Sequence, residues 1–198
     1  MRAAHTQSLI GSVRSLNLAE RAPVMDAVGP ARVAEIDGAT PLLWLPMELH
    51  MRLSDALRDT VGAERNRRIW RSTMDASYDR PILHGFVSAA VDLFGVTPAS
   101  LFRQTSRIYS HLTQGLGDLA FEATGSTSGR VILRGFPASD YRFICYVEGL
   151  AGCLESTISV TRAIGEVTPT DVDDTRGDVA YVVRWEARTS ARERRRSA

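Results

Sequence analysis

The sequence predicts an α+β fold: a helical N-terminal half over 1–117, then ββαββ over 118–187, with a four-stranded antiparallel sheet packed against helices in a single domain. Three features predict it. Apolar residues recur at helical spacing between Leu49 and Leu116. The spacing changes to alternation in "DLAFEATGSTSGRVILRGFP", where Leu119 and Phe121, then Val131 and Leu133, flank a Gly/Ser/Thr turn. A long apolar helical pattern, "YRFICYVEGLAGCLESTI", then separates this hairpin from two further extended segments, "EVTPTDVDD" and "DVAYVVRWEA".

Residues 1–40 carry short apolar pieces interrupted by Gly11, Pro23, Gly29, Pro30 and Gly38, a pattern suited to short helices near 18–28 and 30–37. In "TPLLWLPMELHMRLSDALRDTVG", Pro46 fits a first helical turn, and Leu49, Leu53, Ala56, Leu57 and Val61 share a face up to Gly62. A second helix over 63–77 surrounds Ile69 and Trp70 with Arg65, Arg67, Arg68 and Arg71, so its polar face is basic. "RPILHGFVSAAVDLFG" runs from Pro81 to Gly95 with the wide apolar face of a core helix. Thr97 then suits an N-cap with Pro98 in the first turn, and Leu101, Thr105, Ile108, Leu112 and Leu116 mark one helix stopped by Gly115 and Gly117.

Strands are expected over 118–124, 129–135, 166–173 and 178–187, and the intervening helix from Pro137 and Ser139 to about Gly165. On that helix Phe143, Val147, Leu150, Leu154 and Ile158 form the stripe that covers the sheet. Another side collects Cys145, Gly149, Gly152 and Ser156. Two interior glycines cost about 1 kcal/mol each relative to Ala, so this strip predicts close approach of a neighbouring helix or a second subunit, with a ligand floor as the alternative. The terminal "RTSARERRRSA" reads as a basic disordered tail over 188–198.

Composition excludes several function classes. The net charge is +1, which supplies no overall field for nucleic acid or an anionic membrane. All 24 basic residues are Arg, so no lysine Schiff base, lysine general base or P-loop lysine exists. No apolar run is expected to span a membrane, "MRAAHTQSLIGSVRS" lacks a signal-peptide apolar block, and a cytoplasmic location follows. Cys145 and Cys153 are eight residues apart, about 12 Å along a helix, too far to bond. They form no CxxC, so no metal site is expected.

No catalytic residues stand out either. There is no GxSxG, and "YSHL" and "GSTSG" are adjacencies without triad or phosphate-cradle order. Glu148 and Glu155 are seven apart, about 10.5 Å along the helix, and read as a solvated edge rather than an acid–base pair. Of the four histidines, His5 and His84 read as surface, while His50 and His111 flank apolar faces. Either of the latter would suffice as an axial haem ligand, although a hydrogen-bonded core position is the commoner use.

The helical half followed by ββαββ, with "LLWLPMELHMRL", "LFG" at 93–95, "VILRGFP", "YVEGLAGCLE" and "YVVRWE", resembles a little-characterised family of roughly two-hundred-residue proteins expanded in myxobacteria and their relatives. The match covers about residues 40–187. The element order is also similar to a wider group: haem nitric-oxide-binding domains, vinyl-reductase-type small-molecule sensor domains and vesicle-tethering subunits. That resemblance implies a ligand-binding or assembly module in signalling rather than an enzyme. The haem domains' alternating Tyr, Ser and Arg pattern is missing from "YDRP" and "YSHL". The sensor domains' Cys and His pattern is missing from "DVDDTRGDVAYVVRW". The implied ligand is therefore organic and apolar, with no cofactor.

The resulting expectation is a non-catalytic regulatory or sensory module that binds a small apolar ligand between the helical half and the long helix. His50, Trp70, Tyr109, Phe143 and Tyr146 are its candidate liners, each large and most with a polar tip. The rival is a structural or interaction protein without ligand. In it Cys145, Gly149, Gly152 and Ser156, with the basic helix, form a homo-oligomer or partner surface. A haem-based gas sensor is a minor alternative. Nucleic-acid binding through the tail ranks last, and no membrane partner is expected.

Overall fold

The computed structural model describes residues 1–78 and 97–186. The expectations for the helix over 81–95, for His84 and for the tail over 188–198 lie outside these residues. The described part is helical up to Leu112 and then follows ββαββ order, the predicted α+β class.

Helix α1 (Ala3–Arg14) is absent from the sequence expectation. Its Leu9, Ile10 and Val13 are buried, but so are Thr6 and Ser8, which blurs the apolar period. Thr6 Oγ1 lies 3.2 Å from His50 Nδ1 on another helix, while Ser8 Oγ donates to the Ala4 carbonyl of its own helix at 2.8 Å. Helices α2 (Leu18–Val28) and α3 (Pro30–Gly38) occupy the predicted places. Asn17 caps α2 by accepting the Glu20 N–H at 3.1 Å. Helices α4 (Met47–Val61) and α5 (Ala63–Tyr78) form a hairpin through Gly62, whose φ of 79° only glycine adopts without strain.

The single helix expected after Thr97 is two. Thr97 and Ser100 form a reciprocal capping box for α6 (Pro98–Phe102), and α7 (Thr105–Leu112) follows after a break. The Thr105 hydroxyl takes the Phe102 carbonyl that a continuous helix would use. Phe102 itself is held in a stack with Phe121, ring centroids 5.3 Å apart, and against Trp185.

Strands β1 (Asp118–Gly125), β2 (Ser128–Arg134), β3 (Ile164–Asp173) and β4 (Asp178–Glu186) form a four-stranded sheet ordered β1-β2-β4-β3, antiparallel throughout. In the β3–β4 turn the Asp173 carboxylate accepts the N–H groups of Thr175 and Arg176, each at 3.1 Å. Alternation places Val131, Leu133, Val179, Tyr181 and Val183 on the buried face.

That face is covered by α8 (Phe143–Val160). The helix is shorter at both ends than its pattern suggests. Ser139 and Asp140 bond each other instead of capping, and Arg142 is still extended. At the far end Arg162 turns to φ 62°, which places Gly165 in β3 opposite Trp185. By length and composition α8 could cross a membrane, with mean hydropathy 1.3, contrary to the expectation that no apolar run reaches that length. In the fold 72% of it is buried inside the chain, as the core helix.

The small-residue side of α8 faces α5. Gly149 lies under the Trp70 indole, where an added Cβ would come within 2.6 Å of the ring. Gly152 lies against the Arg67 backbone, where a Cβ would overlap the carbonyl oxygen. Ser156 donates to Asp75, and Cys145 sits beside Asp55 of α4. All four residues are buried within the chain, so the expectation that they form a subunit surface gives way.

The Glu148 and Glu155 expectation is corrected too. Glu148 accepts two hydrogen bonds from Arg58, both 3.0 Å, and Glu155 accepts one from Arg67 at 2.6 Å. These half-buried pairs clamp α8 onto α4 and α5. They also remove part of the basic face of α5, as does the 2.9 Å pairing of Arg65 with Glu20.

Replacing Gly152 with Ala should destabilise the protein by about 2–3 kcal/mol, because backbone rather than a mobile side chain must move. Gly11, in α1 with no atom within 4 Å of an added Cβ, is the control. There Ala should stabilise by about 0.5–1 kcal/mol. Urea denaturation of the two variants measures both.

Candidate functional site

Where α1, α5, α7 and α8 meet strand β1, the packing leaves an apolar cavity of about 60 Å³. Its walls come from two helical stripes. On α5, Trp70, Met74 and Tyr78 succeed one another at i, i+4 and i+8. On α8, Tyr146, Leu150, Cys153 and Thr157 succeed one another at i, i+4, i+7 and i+11. Tyr109 closes the α7 side and Leu119 the sheet side.

The hydroxyls of the wall tyrosines and of Thr157 are consumed by the protein itself. Tyr146 Oη donates to Tyr109 Oη at 2.9 Å, and Tyr109 Oη donates to the Leu116 carbonyl at 2.9 Å. Tyr78 Oη and Thr157 Oγ1 are 2.9 Å apart, and Thr157 donates in turn to the Cys153 carbonyl at 3.2 Å. What faces inward is ring and methyl surface. Burial raises the pKa of Tyr78, Tyr109 and Tyr146 above the ordinary phenol value, and burial with the nearby Asp75 pushes the Cys153 thiol up to about 12. At neutral pH the cavity thus presents neutral hydroxyls and a thiol, and no thiolate nucleophile or charged base among these groups.

Of the five sequence candidates, Trp70, Tyr109 and Tyr146 line this cavity together. His50 does not. It lies behind Trp70, the two rings edge-on with centroids 5.3 Å apart. Phe143 stands one layer away, packed on Phe136 at 5.1 Å, while Phe136 stacks on Tyr146 at 4.7 Å. Phe143 instead borders an open surface groove of about 840 Å³ with Asp59 and Arg142, which pair with each other at 2.7 Å.

Sequence reasoning missed Tyr78, Met74, Cys153 and Thr157, although the two stripes would have found them. It also placed His5 on the surface. His5 is buried, lines the cavity from α1, and has its ring 5.3 Å from that of His50 and 5.8 Å from that of Trp70. His111, by contrast, is exposed on the outer side of α7, with Nδ1 2.9 Å from the Arg107 carbonyl. No group of three or more His, Cys, Asp or Glu side chains that could hold a metal ion occurs among the described residues.

Burial, reinforced by the neighbouring His5, holds the His50 pKa well below its ordinary 6.5. The unfolded chain therefore takes up a proton near pH 6.5 that the folded chain resists. The contribution is fully present above that pH and is lost as pH falls below it. The urea midpoint should drop between pH 7.5 and pH 5, and His50→Gln should flatten that drop; equal slopes in the two proteins would contradict it.

No protein-family model matches the chain, and no curated protein matches it in sequence. Solved structures do share its fold. A point mutant of the T. Tengcongensis H-NOX superimposes with TM-score 0.63 at 12% identity, covering 96% of this chain and 100% of that one. The Fe(II) unliganded H-NOX protein from K. algicida gives 0.60 at 12% identity, over 96% and 99%. An oxygen-binding H-NOX domain related to soluble guanylate cyclases, in its oxygen complex, gives 0.61 at 14% identity, over 94% of each chain. The chain has an H-NOX-like fold.

Proposed function

We propose that this protein is a non-catalytic sensory module that binds a small apolar molecule in the cavity between the helical half and α8. The observation that carries this reading is the cavity itself: a small apolar space walled by Trp70, Tyr78, Tyr109 and Tyr146, in a fold shared with an oxygen-binding H-NOX domain. The module is a single cytoplasmic unit of the myxobacterial kind described above, and its two unpaired thiols suit a reducing compartment. Its output is a protein contact, located away from the glycine strip that α5 covers.

Haem does not fit the described residues. An interior of about 60 Å³ holds a guest of a few heavy atoms, against roughly 300 Å³ or more for an ordinary cofactor pocket. The rings of Trp70, Tyr78 and Tyr146 wall this space. Of the two histidines considered as axial ligands, His111 points outward and His50 is behind Trp70 with Nδ1 engaged by Thr6. The reading is therefore a sensor without iron.

A native mass spectrum of the full chain as purified, compared with the denatured sample, tests it. An added small-molecule mass released on denaturation, without porphyrin, is expected. A porphyrin mass would overturn the iron-free reading, and a bare assembly of subunits would favour the interaction module instead.

A further inference from the structure

The α4–α5 hairpin buries polar groups that the cavity does not use, with the His50 and Trp70 rings in contact at 5.3 Å. His50 and Ser54 are one helical turn apart on α4, and Asn66 and Trp70 one turn apart on α5. His50, Ser54 and Asn66 are 0% exposed and Trp70 is 2% exposed. Five of their polar atoms have no protein hydrogen-bond partner among the described residues: His50 Nε2, Ser54 Oγ, Asn66 Oδ1, Asn66 Nδ2 and Trp70 Nε1.

A buried polar atom left without a partner costs more than a hydrogen bond gains, and five in one seam would outweigh much of a domain's marginal stability. The set has a definite chemistry. Asn66 supplies both a donor and an acceptor, Trp70 Nε1 donates only, and Ser54 Oγ and His50 Nε2 serve either way. No formal charge belongs to it: burial keeps His50 neutral, and the cationic neighbours Arg58 and Arg67 turn outward to Glu148 and Glu155.

We propose that this seam is a second binding site, separate from the apolar cavity and sharing only the Trp70 ring with it, which holds ordered water hydrogen-bonded to Asn66, Trp70 Nε1, His50 Nε2 and Ser54. Water suits the set because one molecule donates twice and accepts twice, and a polar site enclosed by several such groups retains it. A carboxylate or phosphate is disfavoured: Arg58 and Arg67 are engaged by Glu148 and Glu155, and the Met1 amino group near His50 donates to the Leu45 carbonyl, with burial lowering its pKa to about 6.

The test uses the ¹⁵N-labelled full chain with water as the probe. The Trp70 indole resonance is assigned among the three tryptophans by Trp70→Phe. Cross-relaxation from water to the Trp70 indole N–H and the Asn66 side-chain amide should carry the sign of a long-lived bound molecule. No such transfer at either group overturns the proposal. A second variant keeps the outcome independent of assignment. Asn66→Leu, nearly isosteric, should lower the folding equilibrium constant roughly tenfold if a hydrated network is broken. A rise instead would mean that the seam is dry, and overturns the site.

Discussion

The contact on which the rest of this structure depends is the approach of α8 to α5 at Gly149 and Gly152. Trp70 can lie flat on α8 only because Gly149 has no side chain, and the backbone around Arg67 can reach α8 only because Gly152 has none. The helix-propensity cost of the two glycines, about 1 kcal/mol each, is offset by burial of an indole and by the Arg58–Glu148 and Arg67–Glu155 pairs that flank the seam. Removing one partner of either half-buried pair leaves a charge short of its ligands, so the clamp enforces register as well as proximity.

The cavity follows from this contact. With α5 seated on α8, Trp70, Met74 and Tyr78 meet Tyr146, Leu150 and Cys153 across a gap too narrow for a large guest. The phenols bond one another and the Leu116 carbonyl, so their polar tips are turned away and the lining is apolar. Trp70 has two roles: its face bounds the apolar cavity, while its ring borders the polar seam of the α4–α5 hairpin. The likeness to solved H-NOX structures at 12–14% identity carries the architecture and not the ligand.

Much of the architecture was legible because it depends on period. Leu49 through Val61, the alternation around Val131 and Leu133, and the stripe from Phe143 to Ile158 all report a buried face directly. Helix α1 was illegible because its inward face mixes Leu9, Ile10 and Val13 with Thr6 and Ser8, hydroxyls made tolerable by His50 on another helix and by the Ala4 carbonyl of the same one. The break at Arg103 was hidden for a similar reason, since it turns on a single hydroxyl, Thr105, and on the stacking of Phe102 with residues far along the chain. In the site, size and polarity identified Trp70, Tyr109 and Tyr146. They could not place His50 behind Trp70, bring His5 in from the surface, or say that the small strip meets α5 rather than another subunit. Those are facts of tertiary packing, fixed by residues distant in sequence.

Xenon-pressure NMR of the methyl-labelled protein tests the central claim most directly, since xenon is small, apolar and neutral and enters dry apolar cavities. The account predicts dose-dependent shifts at the methyls that line the cavity, among them Met74, Ile108, Leu119, Leu150 and Leu154, with Val33 and Ile36 of α3 unmoved. Saturating xenon that leaves Met74, Leu150 and Leu154 in place would mean that the interior is closed to an apolar guest, and would contradict the account.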